Sequence, residues 1–231
     1  MRMKHLYTAV GRFERRTNEC GRSCPVIILG GKEYMVDLQE MVVWTCLNWR
    51  LVKKEEISSL YENACQGNVF LSERSLDSCI DRLLIRGLLV CGVGETDYDA
   101  LYDLLASMYI IPASGNAPLR LFTFCKLILI NRVPFSAAKK LLTKDKRTSR
   151  EEQIMQLAKQ ALLSTAEIIK CMEKDIRYLP DEESILDNLY DDRDTTSDNI
   201  GDLVKSSLSS KAVTLAIANL YLRQQIIFER I

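Results

Sequence analysis

Residues 72–94 read SERSLDSCIDRLLIRGLLVCGVG, and the way this stretch breaks into elements decides the fold. Ser72 is a candidate N-cap, because a serine hydroxyl accepts the amide hydrogen bonds that a helix start leaves open. Leu76, Cys79, Ile80, Leu83 and Leu84 then recur at i, i+3, i+4, i+7 and i+8, the spacing of one apolar helix face. Gly87 ends that helix, as a residue with positive φ does. The following LLVCGVG reads as a strand with a glycine-bearing turn at Gly92-Val93-Gly94. The stretch therefore predicts a helix over 72–86 and a strand and turn over 88–94.

Upstream, residues 25–36 read PVIILGGKEYMV, two β-rich runs flanking Gly30-Gly31-Lys32, which is a hairpin signal. Asp37 can cap a first helix, in which Leu38, Met41, Val42, Thr45, Cys46 and Trp49 fall at helical spacing. A second helix is expected from Lys53 to about Ala64, with Ile57, Leu60 and Tyr61 on one face. Downstream come a helix from Asp97 to Met108, the linker candidate IIPASGNAP, and helical pattern over 119–147 broken at Pro134. Ser164 and Glu167 form an S-x-x-E capping box that separates a helix ending near Ala161 from one beginning at Thr165. The stretch from Pro180 to Asp202 is acidic, a last helix is expected over about 210–223, and QQIIFER closes the chain as a strand.

The two halves overlay. RLVKKEEISSLYE (50–62) matches LLSTAEIIKCMEK (162–174) with Ile57 against Ile168, and CIDRLLIRGLLVC (79–91) matches AIANLYLRQQIIF (216–228) with Ile80 against Ile217 and Arg86 against Arg223. The offset is 111 residues for the first pair and 137 for the second, so the later copy carries 26 extra residues, which include the acidic segment.

Helix, helix, capped helix, strand is the order of a winged helix-turn-helix. The segment from Asp37 to Gly94 resembles the winged-helix DNA-binding domain of bacterial transcriptional regulators, and the C-terminal half resembles it more loosely. The hairpin ahead of the first helix is also similar to peptide-clasp domains of the PqqD type, which place a sheet ahead of three helices and take up a leader peptide by strand addition. The fold expected is mainly α with short β-hairpins, as tandem winged-helix-like domains. Residues 1–112 would hold the hairpin and a winged helix, and 113–231 a helical, winged-helix-like domain with the acidic insertion.

The resemblance implies a cytoplasmic regulator that binds double-stranded DNA, as a homodimer. Arg74, Ser75 and Ser78 would reach bases or phosphates from the helix over 72–86, Arg82 and Arg86 would lie nearer the backbone, and Lys53 and Lys54 would hold a phosphate at the start of the preceding helix. Glu73, Asp77 and Asp81 oppose these cations on the same helix. The alternative is an adaptor that takes up a peptide or protein segment along the edge of the 25–36 hairpin. The last helix carries Val213, Ile217 and Leu220 on one side and Leu215, Ala218 and Leu222 on another, which implies burial on two sides, against another domain or a second subunit.

Composition bounds the rest. The 231 residues carry 31 Lys and Arg against 31 Asp and Glu, which excludes a uniformly basic coat. Two basic clusters are hidden in that balance, at 12–22 and 139–150. A single histidine, His5, leaves little for acid–base or metal designs, and Cys20, Cys24 and His5 fall one ligand short of a structural zinc site. There is no phosphate-binding G-x-x-x-x-G-K-[ST] and no G-x-S-x-G. No catalytic residue, cofactor or metal is expected, and the chain is read as not an enzyme. The longest apolar run, Leu127–Ile130, is far short of the roughly 20 residues of a membrane helix, and eight cysteines scattered through apolar patterns suit a reducing cytosol.

Overall fold

Residues 3–17, 23–65, 74–113, 146–191 and 194–230 are described by the computed structural model. The expected cap Ser72, the 119–145 part of the pattern broken at Pro134, Cys20, and the 18–22 and 139–145 parts of the two basic clusters lie outside the described residues. The chain begins with β1 (Lys4–Ala9), β2 (Arg12–Thr17), β3 (Ser23–Leu29) and β4 (Lys32–Met35). Then come α1 (Leu38–Leu47), β5 (Val52–Lys53), α2 (Lys54–Cys65), α3 (Leu76–Ile85), β6 (Leu89–Gly94), α4 (Asp97–Leu105) and β7 (Tyr109–Pro112). The rest is α5 (Ser149–Gln160), α6 (Thr165–Glu173), α7 (Glu182–Leu189), α8 (Ile200–Lys205), α9 (Ser210–Leu222) and β8 (Ile226–Glu229). The fold is mixed α/β with small antiparallel sheets rather than mainly α. The added strands are β1, β2, β5 and β7, the last at the start of the expected linker; their partners lie far away or across a loop, where local periodicity gives little signal.

The sheets have the orders β5-β1-β6, β2-β3-β4 and β7-β8. Gly30 and Gly31 adopt φ of 56° and 73°, the two left-handed positions of a tight primed turn, and so set the β3–β4 register at Leu29 opposite Lys32. Asp37 caps α1 by accepting the Glu40 amide, while the Glu40 carboxylate accepts the Asp37 amide, a complete capping box.

The strand–turn expected at 88–94 is corrected. β6 runs straight through Gly92 and Gly94, and it pairs along its length with β1, from Lys4 opposite Gly94 to Ala9 opposite Leu89. Among the described residues no strand returns from β6; the middle of that sheet is filled from the N-terminus. The two glycines serve packing instead. A Cβ on Gly92 would sit 2.2 Å from the Ala100 carbonyl oxygen, so α4 lies directly on the strand.

The repeat offsets reappear in the sheet registers. Leu6 of β1 lies opposite Lys53 on one side and Gly92 on the other. Tyr109 of β7 lies opposite Ser164 and Glu229. Lys53 and Ser164 differ by the same 111 positions, and Gly92 and Glu229 by the same 137. The helix ends agree as well. Arg86 and Arg223 are both C-caps, followed by Gly87 and Gln224 at φ of 71° and 58°. The amides of Leu88 and Gln225 each close back 2.9 Å onto Leu83 and Leu220.

One apolar core runs through both halves, from Tyr7, Trp44, Leu47 and Leu83 to Ile168, Leu220 and Phe228. The expected boundary at 112/113 therefore falls between β7 and its partner β8. Tyr221 ties the halves together: its hydroxyl accepts the Trp49 amide at 2.9 Å, donates to the Ala9 carbonyl at 3.0 Å and lies 2.7 Å from Thr8 Oγ1. Burial pushes its phenol up to about 12. An unfolded tyrosine releases its proton near pH 10, so this contribution is whole below pH 10 and is lost as pH rises toward 12. Its own share of the loss over that interval is on the order of 2 kcal/mol; stability read by urea unfolding should fall less steeply by that amount in Tyr221→Phe, while Tyr7 and Tyr61, also pushed up to about 12 by burial, keep theirs.

The acidic segment forms α7 and α8, held against α6. Lys170 is buried and donates to the Leu189 carbonyl at 2.5 Å and to Thr195 Oγ1 at 3.1 Å. The Tyr190 hydroxyl donates to Glu167 at 2.7 Å. The expectation for the last helix is corrected in part. Val213, Ile217 and Leu220 are buried, and so is Ala218, but Leu215 and Leu222 stay 44% and 47% exposed. Within the described chain, the second face is only half covered. Among the described residues, no helix is long and apolar enough to cross a membrane.

Candidate functional site

The third helix was the expected reader of DNA, and its geometry follows from α1. The helix begins at Leu76, not at Ser72, and Ser75 is its N-cap, accepting the Ser78 amide at 3.3 Å. The Ser75 hydroxyl is thus engaged at the helix start, while Ser78, the other serine expected at the groove, is exposed. Gln39 of α1 fastens the approach: its side-chain amide donates to the Arg74 carbonyl at 2.8 Å and accepts the Arg74 amide at 3.3 Å.

The arginines turn toward one carboxylate. The Glu40 side chain is 2% exposed; Arg82 Nε meets its Oε1 at 2.7 Å, and Arg86 Nη1 meets its Oε2 at 2.9 Å. Arg74 Nη2 lies 2.7 Å from Asp37 and its Nη1 3.8 Å from Glu40. Partial burial pushes the Asp37 carboxyl up, but the Glu40 amide and the Arg74 guanidinium outweigh it and hold it below the usual carboxylate range. Lys53 pairs with Asp97 at 3.2 Å and Lys54 with Asp77 at 3.9 Å. All five cations of the expected DNA surface therefore have a carboxylate within 4.0 Å. A phosphate would have to compete with those acids, and the turn expected to flank it at 92–94 is instead the end of β6.

The same latch stands in the second half. Glu151, at the N3 position of α5 in a capping box with Thr148, is buried and paired with Arg223, the C-cap of α9. Glu40 and Glu151 are 111 positions apart. The D-x-x-E at 37–40 was a readable sign of a capping box, but nothing local says that its glutamate also receives three arginines from a helix about 40 residues on.

A second place has open valences. β4 ends the order β2-β3-β4. Because Lys32 and Tyr34 sit in the positions that bond back to β3, Glu33 and Met35 turn their main-chain groups outward. Arg86 donates to the Met35 carbonyl; no strand pairs with this edge among the described residues. Beside it, an open groove of about 320 Å³ is lined by Leu29, Gly30, Lys32, Tyr34, the α3 end at Ile85 to Gly87, and Arg230. Ile85 is 86% exposed. The guanidinium of Arg86 stands 5.9 Å from the Tyr34 ring centre.

Other chemistry is thin. His5 Nδ1 is 3.8 Å from Cys91 Sγ, and burial pushes that thiol up. Among the described residues no three His, Cys, Asp or Glu side chains converge as a metal site would require. Comparison of the chain with protein-family models, curated proteins and solved structures finds no match.

Proposed function

We propose that the chain is a non-enzymatic adaptor, built from two winged-helix-like units related by duplication, that takes up an extended segment of a partner protein along β4. The observation that carries this reading is the outward edge at Glu33 and Met35, placed beside a groove with an exposed isoleucine. Edges of this kind pair readily with another chain, and main-chain bonds along such an edge supply affinity while neighbouring pockets supply selectivity. The order of elements supports it: a three-stranded sheet followed by α1, α2 and α3 is the order that the PqqD-type resemblance implied. The regulator reading draws on the same order of helices, but the cations it needs are engaged by Asp37, Glu40, Asp77 and Asp97.

Glu33→Pro tests the proposal. The Glu33 amide faces away from β3, so proline there removes an outward donor and leaves the internal ladder intact. Octapeptides selected from a random displayed library on the wild-type chain should bind this variant about tenfold less tightly, the equivalent of one lost hydrogen bond. Its thermal midpoint should match the wild type. Undiminished binding by a folded Glu33→Pro chain would overturn the proposal.

A further inference from the structure

Resting on the strand-addition reading, we infer that the segment taken up along β4 is acidic, with carboxylates on either side of one large apolar residue. None of the residues lining the groove is acidic. Lys32 and Arg230, at its turn end, have no ion-pair partner among the described residues. Arg86 stands at the other end, where it holds the Met35 carbonyl, and Arg82 beside it leaves half of its side chain in solvent. Glu40 lies 2.9 Å from Arg86 and 2.7 Å from Arg82, and with Asp37 it also faces Arg74, so three guanidiniums share two carboxylates and this end keeps a net positive charge. The acids beside the turn end point away from the groove. Glu33 lies on the opposite face of the strand, 2.8 Å from Arg16, and Glu229 accepts the Gly30 amide at 2.6 Å. Between the two cationic ends, Ile85, Tyr34 and Leu29 form the apolar seat. An extended peptide presents alternate residues to one face, so the fitting pattern is acid, spacer, apolar, spacer, acid. A second copy of this chain paired edge to edge would bring two sets of these cations together with no acid from either groove between them.

Two seven-residue probes test the inference, one of sequence Ser-Glu-Val-Leu-Val-Glu-Ser and one with lysine in place of both glutamates. Each is titrated into the full chain at low salt while the backbone amides are followed by NMR. The acidic probe is expected to bind at least tenfold more tightly, to shift the amides of residues 32–35 and 85–87, and to weaken as salt is raised. Lys32→Glu combined with Arg230→Glu should reverse the preference while leaving the far-ultraviolet dichroism unchanged. Equal binding of both probes, with the same amides shifted, would overturn the acidic preference and leave strand addition standing. No shift at 32–35 with either probe would overturn both. Protection of residues 32–35 that grows with protein concentration, without a probe, would make a second copy the occupant and also overturn the inference.

Discussion

Glu40→Ala is expected to destabilise the fold by roughly 3–5 kcal/mol, the usual loss when one member of a buried ion network is removed. Its carboxylate is 2% exposed and lies within 4.0 Å of Arg74, Arg82 and Arg86. It also accepts the Asp37 amide at 3.2 Å. Alanine removes every one of these partners and leaves the α1–α3 contact with uncompensated positive charge. Removing a surface partner is a different matter. Glu33→Ala, which takes away the exposed pair with Arg16, should change stability by no more than about 1 kcal/mol. Urea unfolding of the two variants side by side reads the contrast. Glu151→Ala should resemble Glu40→Ala, because Glu151 is equally buried and holds Arg223 at the same place in the second half. A loss for Glu40→Ala as small as that for Glu33→Ala would mean that the three arginines turn out to solvent without penalty.

Gly92→Ala is expected to cost roughly 3 kcal/mol or more, at the upper end of what overpacking does. The added methyl would stand 2.2 Å from the Ala100 carbonyl oxygen and 2.5 Å from the Leu104 nitrogen. Both are backbone atoms of α4 and cannot swing aside as a side chain tip can. Either α4 lifts from β6 or the strand bends away from β1, and each response opens the core around Leu83, Leu89 and Leu104. Gly31→Ala is the control. Nothing lies within 4 Å of its added Cβ, although its φ of 73° is left-handed, so a strain of about 1 kcal/mol is expected there. Thermal unfolding should rank the two, with Gly92→Ala clearly lower. The opposite ranking would show that α4 is free to slide over the strand.

The helices and the repeat were legible because both are local statements. Apolar residues at helical spacing, Ser164 with Glu167, and Asp37 ahead of Leu38 each describe a few turns of chain, and the observed helices follow them. The overlay of 50–62 on 162–174 and of 79–91 on 216–228 reappears in strand registers and helix caps. What the sequence hid is long-range. β1 carries no local strand signal, yet it is the centre of a sheet whose neighbours lie about 45 and 85 positions away. Gly92-Val93-Gly94 looked like a turn because glycine marks turns more often than it marks close packing; only the position of α4 distinguishes the two. Arg74, Arg82 and Arg86 looked outward because a single helix can be split into an apolar and a polar face, but the polar face here meets Glu40 of another helix. The hairpin of 25–36 was found from Gly30-Gly31, whereas its groove depends on Ile85 and Arg230, which no local pattern connects to it.

The account places the binding surface on the β4 edge and engages Arg74, Arg82 and Arg86 with Glu40 and Asp37. Residue-resolved NMR titration of one labelled chain, with the glutamate probe in one series and random-sequence duplex DNA at low salt in the other, addresses both statements together. The expected result is that the peptide moves residues 32–35 and 85–87 while the duplex leaves residues 74–86 where they are. A duplex that shifts Ser78 and Arg82, with a peptide that shifts nothing along β4, would contradict it.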